Sequence, residues 1–273
     1  MHPIFLKIGS YEIRWYGVML AIAVLTAVFY AWREAKNEGI GEDRYFDFVI
    51  WVIIVGIIGA RVVFVLANNP LFYLTHPIEI LKIWQGGLAF FGIVIFGFLF
   101  TYFYWKRFGL FYKILDIAAP ALALGFGIGR IGCFLNGCCY GKPTSVPWAI
   151  VFHDPASFGP IGIPIHPTQL YLSASGFIAF FFLHKLRKKM RVEGGLFALF
   201  LVFYSAWTFI IEFFRGDHIP IFGLTNGQWS VFPILLFAYL FYRFSPTLRH
   251  GTEKPEEENS LESSEEEKEI EES

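Results

Sequence analysis

Apolar residues fall along this chain in long runs, not in the strict alternation or narrow helical stripe of a soluble fold. Seven such runs, at 16–32, 45–66, 88–105, 114–135, 168–183, 195–214 and 228–242, are separated by polar stretches. A helix needs about 20 mostly apolar residues to cross the hydrocarbon core. The pattern therefore predicts an all-α integral membrane protein with about seven transmembrane helices, a domain of residues 16–245. Pro120 and Arg130 interrupt the fourth run, and the fifth and seventh are short. The first is too long for a signal-peptide core and lacks a small-residue cleavage site, so it is expected to stay as a span. Residues 1–15 precede it as an outer-surface segment, where two extended pieces meeting at Gly9-Ser10 predict a small hairpin.

Charge orients the spans. One set of loops carries Arg33, Lys36 and Arg44, then Lys106, Arg107 and Lys113, then Lys185, Arg187, Lys188, Lys189 and Arg191, then Arg243 and Arg249. The alternate set carries only Lys7, Arg14, Lys82, Lys142 and Arg215. Basic loops stay inside, which puts the N-terminus outside, the C-terminus inside and the number of spans at an odd value. The outer loops 67–87, 142–167 and 216–227 are rich in Pro, Gly and Asn and predict a small extracytoplasmic cap. No internal repeat is apparent, which weakens an inverted-repeat transporter.

Composition agrees. The chain is 55% hydrophobic, 20% aromatic and 16% charged, against about 25% charged for a soluble domain. Its net charge of -1 conceals an asymmetry, because residues 253–273 hold 11 Glu and 2 Lys. Residues 246–273 read as an acidic, disordered cytoplasmic tail on a basic body. Nothing here points to nucleic acid.

Ionisable residues inside a span are costly, and each is a functional hypothesis. Arg130 stands in the glycine-rich run 125–132, where small residues admit a helix or ligand close to the backbone. The same run satisfies G-x-G-x-x-G at Gly127, Gly129 and Gly132, but it lies in a span, not between a strand and a helix, so a dinucleotide site is excluded. Arg61 lies in the second run. Glu212 and Arg215 are three apart and share a helical face. Arginine's planar fork suits phosphate, so arginines facing one lipid-accessible cavity suggest a phospholipid head group. His166 opens His-Pro-Thr-Gln-Leu-Tyr before the fifth run and could exchange a proton near neutral pH. Cys133, Cys138 and Cys139 lack a histidine cluster at zinc spacing, so no metal is expected and packing or a local disulfide reads better. By connectivity Tyr16, Gly86, Gly87, Arg130, Asn136, His166, Arg215 and Gln228 all fall on the outer side.

These residues resemble the bacterial prolipoprotein diacylglyceryl transferase family over nearly the whole chain up to Arg243. The carriers are 13–17 (Ile-Arg-Trp-Tyr-Gly), 59–61 (Gly-Ala-Arg), Gly86-Gly87, the block 129–141 (Gly-Arg-Ile-Gly-Cys-Phe-Leu-Asn-Gly-Cys-Cys-Tyr-Gly), 166–171 and 212–215 (Glu-Phe-Phe-Arg). The resemblance implies an enzyme of the bacterial cytoplasmic membrane that moves the diacylglyceryl group of phosphatidylglycerol onto the lipobox cysteine of a preprolipoprotein. The product would be a thioether, with no cofactor. Arg130 and Arg215 would match essential arginines of the family, and His166 is the further catalytic candidate that its own chemistry suggests. Tyr16, Arg61, Gly86, Gly87, Asn136, Gly141, Gln169 and Glu212 would bind substrate. The chain departs from the family pattern at Cys133 (usually Asn), Cys138 (usually Glu), Phe91 (a histidine in relatives) and Leu172 (often Glu). With Phe91 in that place, His166 or the arginine field must help form the thiolate. A phospholipid-binding homologue without transferase activity, or a seven-helix receptor or transporter, are the competing expectations. The last span carries no lysine for retinal, and the charges cluster outward instead of at the midplane.

Overall fold

A computed structural model of the chain describes residues 2–9, 11–190 and 192–245. The expected acidic tail, 246–273, lies outside them. The predicted hairpin is present, with β1 (Ile4–Ile8) and β2 (Tyr11–Arg14) antiparallel and Gly9 at φ +60° in the turn between them. It runs straight into α1 (Trp15–Asn37), and the Trp15 amide donates to the Pro3 carbonyl at 2.9 Å. The chain continues through α2 (Glu42–Ala67), the short α3 (Pro70–Thr75) and α4 (Ile78–Leu81), and a 3-10 turn at Ile83–Gln85. Then come α5 (Phe90–Lys106), α6 (Phe111–Asn136), α7 (Thr168–Arg187), α8 (Gly195–Glu212) and α9 (Asn226–Arg243).

Every predicted apolar run is a helix. Among the described residues α1, α2, α6 and α8 are long and apolar enough to cross a membrane, and α5 is a shorter apolar helix of 17 residues. Helices α7 and α9 fall outside that measure because polar side chains (Thr168, Gln169, Ser173, Ser175, His184; Asn226, Gln228, Ser230) dilute them. The chain is a multi-pass membrane protein. Its outward face fits that solvent, since Leu25, Leu66 and Phe103 are each about two-thirds exposed.

Helix α6 is the central post, with α1 along one side and α7 along the other. Its glycines set those distances. A Cβ on Gly176 of α7 would lie 2.7 Å from the Gly127 amide, and one on Gly132 would lie 2.9 Å from Cβ of Met19 on α1. Ser173 also donates to the Gly127 carbonyl at 2.8 Å. Backbones can approach this closely only where side chains are absent. Pro120 does not break the helix. It is fully buried within a 26-residue α6, so the interruption read from the sequence is absorbed by packing.

Opposite the site described below, Trp105, Tyr45, Phe111, Leu183 and Phe197 form a buried aromatic and aliphatic core. Asp116 of α6 reaches into it and accepts from the amides of Gly194 (2.7 Å) and Phe197 (2.9 Å), closing the N-terminus of α8. Helix amides left open there would have no water to bind. Asp116→Ala should lower stability by about 1–2 kcal/mol, read as a lower unfolding midpoint in detergent. A midpoint equal to wild type would remove the cap from the stabilising interactions.

Candidate functional site

Arg130 lies near the C-terminal end of α6, half-buried. Its guanidinium stacks over the Phe126 ring, 4.7 Å from the centroid. Among the described residues it makes no hydrogen bond and no ion pair. Phe126 also lines an apolar cleft between α6, α7 and α8, together with Leu172, Phe200, Tyr204 and Trp207. A cation thus stands at the head of an apolar slot.

One turn beyond Arg130 comes Cys133, buried in α6, and then Asn136, the last residue of the helix. Asn136 accepts from Arg14 of β2 at 3.2 Å, which ties the hairpin to the site. The chain then turns back sharply, with Gly137 at φ +79° and Cys139 at φ +57°. Side chains rarely tolerate that region, yet here it returns Cys138 and Cys139 toward Cys133. The three sulfurs lie within 4.8 Å of one another, and all three cysteines are free. Two wholly buried residues of α7 hold the turn: Thr168 donates to the Cys139 carbonyl and Gln169 to the Cys138 carbonyl, both at 2.8 Å. The Gln169 Oε1 has no partner among the described residues. Hydrogen bonds from Cys133 and Cys138, then the charges of Arg215 and Arg130, hold the Cys139 thiol below its ordinary pKa despite burial. Tyr16, in the first turn of α1, is exposed and within electrostatic reach of Arg130 and all three cysteines.

Gly141 is where three segments meet. Lys142 donates to the Phe214 carbonyl at 2.8 Å and Gly216 to the Tyr140 carbonyl at 3.0 Å, while the His166 amide donates to the Lys142 carbonyl at 3.0 Å. His166 therefore joins the site through its backbone. Its ring packs on Phe214, and Nδ1 lies 3.3 Å from the Tyr171 hydroxyl, which in turn accepts from Trp148.

Glu212 and Arg215 pair as their spacing predicts, at 3.2 Å, and both are buried. The sequence did not single out what surrounds them. Asp217 takes Arg215 in a two-pronged grip, with Nε to Oδ1 at 2.9 Å and a terminal nitrogen to Oδ2 at 2.6 Å. His218 stands between the pair, its Nδ1 2.7 Å from Glu212 Oε2 and its Nε2 3.1 Å from an Arg215 nitrogen. Since the guanidinium can only donate, Nε2 accepts and Nδ1 carries the proton donated to Glu212. Thr225 donates a further 2.7 Å bond to Glu212. Burial works against the Arg215 charge, but the Asp217 hydrogen bond and the neighbouring negative groups raise its pKa above the ordinary value. The polar run of Glu212, Arg215, Asp217 and His218 after an apolar helix was the available signal. Glu212 sits so close to α9 that a Cβ on Gly227 would fall 2.6 Å from its Oε1.

Arg61, Gly86 and Gly87 form a constellation of their own. The Arg61 guanidinium donates to the carbonyls of Glu79, Ile80, Gly86 and Gly87, the first three at 2.6, 2.8 and 2.9 Å. Both glycines have positive φ, and a Cβ on Gly87 would lie 2.5 Å from Arg61. Arg61 thus clamps the loop between α4 and α5. Phe91, beginning the next helix, is exposed and touches Phe90.

Comparison with known proteins covers most of the chain. The family model for prolipoprotein diacylglyceryl transferase matches residues 3–244. The phosphatidylglycerol–prolipoprotein diacylglyceryl transferase of Clostridium tetani is 36% identical over 244 residues, 88% of this chain and 97% of that protein. The protein of the same name from Geobacter sulfurreducens is 35% identical over 241 residues, covering 86% and 90% of the two chains. That of Bordetella avium is 33% identical over 263 residues, covering 93% and 97%.

At the three-segment junction, Gly141→Ala would place Cβ 2.3 Å from the His166 carbonyl oxygen. The overlap is with backbone and cannot be relieved by a rotamer, so a loss of about 1–3 kcal/mol is expected. A lowered detergent unfolding midpoint checks it, and an unchanged one would mean that the segments separate freely.

Proposed function

The chain belongs to the prolipoprotein diacylglyceryl transferase family, and from that premise we propose how its residues move a diacylglyceryl group from phosphatidylglycerol to the lipobox cysteine of a preprolipoprotein. The observation that carries the reading is Arg130, a cation in a membrane helix whose recorded partner is the Phe126 ring. A charge there calls for an anion, and the apolar side chains of the narrow cleft beside Phe126 are a surface against which acyl chains could lie. A lipid phosphate is one molecule that answers both.

In this reading seven helices cross the cytoplasmic membrane, with the N-terminus outside and the site toward the extracytoplasmic side. Phosphatidylglycerol enters sideways, and the lipobox thiol arrives from outside. The thiol gives up its proton, with His166 as acceptor. The sulfur attacks the glycerol carbon that bears the phosphate ester; a carbon–sulfur bond forms, the carbon–oxygen bond breaks, and glycerol phosphate leaves with the electron pair. Arg130 meets the phosphate directly with an open fork. Arg215, held by Glu212, Asp217 and His218, lends its field and fixes the segment beside Gly141. Tyr16 lines the approach, Asn136 and Gln169 hold the helix end and the turn beyond it, and Arg61 acts by fixing the Gly86-Gly87 loop.

The test is thioether formation on a lipobox peptide presented with phosphatidylglycerol vesicles. Arg130→Ala should lower kcat/KM by about 10²–10³-fold, as for loss of one donor to a developing anion. A loss under about tenfold would remove Arg130 from that role, and a well-folded wild type without transfer would leave a lipid-binding homologue. His166→Asn should lose the acidic limb of the pH–rate profile, where a protonated acceptor cannot take the proton; an unchanged profile would exclude His166 as acceptor.

A further inference from the structure

The three cysteines are the part of the site that the proposed mechanism leaves unused. Their spacing along the sequence gave no reason to expect a metal, but the fold brings their sulfurs within 4.8 Å of one another. Tetrahedral thiolates around zinc, at about 2.3 Å from the metal, stand about 3.8 Å apart. Side-chain rotations of under about 1 Å would close that difference. A simple disulfide would need only two of these residues, and ordinary packing would need none in a left-handed conformation. Here Cys139 sits at φ +57°, and buried Thr168 and Gln169 pin both carbonyls of the turn. Asn136 approaches the Cys138 sulfur at 3.9 Å, and the Cys138 thiol in turn lies 3.7 Å from the Cys133 carbonyl. The turn is held in the one shape that gathers three sulfurs.

We propose that Cys133, Cys138 and Cys139 bind one zinc ion, and that its open fourth position takes the lipobox thiol as a thiolate. The proposal rests on the transferase reading above and gives the three cysteines a part in it. Thiolates favour soft metals, three protein ligands with an open position are the arrangement of catalytic zinc, and a coordinating thiol is deprotonated outright. The balance is simple. The substrate thiol loses its proton to His166 or water, its sulfur becomes the fourth ligand, and that sulfur then forms the bond to the glycerol carbon. The leaving phosphate carries away the electron pair, and nothing is oxidised or reduced. Three protein thiolates and a dication total one negative charge, and Arg130 and Arg215 lie within electrostatic reach of Cys139 to offset it.

The full-length protein, purified in detergent, would be assayed for zinc, then stripped with a chelator and reloaded with cobalt. One zinc per chain and a sulfur-to-cobalt charge-transfer band are expected in wild type, with loss of both in Cys133→Ser, Cys138→Ser and Cys139→Ser. A lipobox peptide should shift the cobalt ligand-field bands, and the same peptide with serine for its cysteine should not. Absence of metal in wild type, a disulfide found by mass, or bands indifferent to the peptide would each overturn the proposal. Because stripping and reloading use the wild-type chain, misfolding of a serine variant cannot hide the answer. The two readings fail separately. Transfer that survives stripping sinks the zinc and leaves the transferase. A peptide-sensitive cobalt site without transfer from phosphatidylglycerol sinks the transferase and leaves the thiol site.

Discussion

A guanidinium inside an apolar helix is stable only if its surroundings answer its charge, and three arginines of this chain meet that demand in three ways. Arg61 spends its donors on four backbone carbonyls of one loop and becomes a clamp. Arg215 is wrapped by Glu212, Asp217 and His218 and becomes the centre of a charged knot. Arg130 has the face of Phe126. A cation–π contact offers a fraction to about 2 kcal/mol, short of the roughly 3–5 kcal/mol lost when one partner of a buried ion pair is removed. The residue with the least complete partnership is the one with most to gain from a ligand.

That difference depends on α6 being unbroken and closely flanked. Gly127 and Gly132 bring α7 and α1 against it, so the backbone that carries Arg130 is held between two helices beside the Phe126 cleft. Beyond the helix, Gly141 lets the strand-like segments of His166 and Arg215 close on either side. Helix end, turn and charged knot therefore form one hydrogen-bonded unit. A change at any of them is felt at the others through backbone, not through flexible side chains.

Much of this was legible in the sequence because its cause is local. Long apolar runs specify helices wherever the solvent is lipid, and all seven appear, as does the hairpin at Gly9. The Glu212–Arg215 pair follows from helical spacing. What stayed hidden depends on chain reversal or on distant partners. Asp116 looks like a liability in its span until the amides of α8, some 80 positions on, are placed against it. Arg61 reads as a ligand-binding arginine until its loop is seen to fill its donors. Cys133 and the Cys138–Cys139 pair are separated by a helix end, and their convergence is decided by two positive-φ residues and by hydrogen bonds from α7. Neither is written in the spacing of the cysteines.

The same geometry bears on the direction of attack. Displacement at carbon needs the incoming sulfur opposite the departing oxygen, with the sulfur about 3–3.5 Å from the carbon while the oxygen is still bonded to it. Arg130 and Cys133 are three residues apart on α6, hence on one face and separated by about 4.5 Å along the axis. A phosphate held at Arg130 and a sulfur held at the cysteine turn would thus lie on one face of α6 about a turn apart, with the glycerol carbon between them. An arginine placed elsewhere in the bundle could neutralise phosphate equally well, but only one at this offset from the cysteine turn also sets the line of attack.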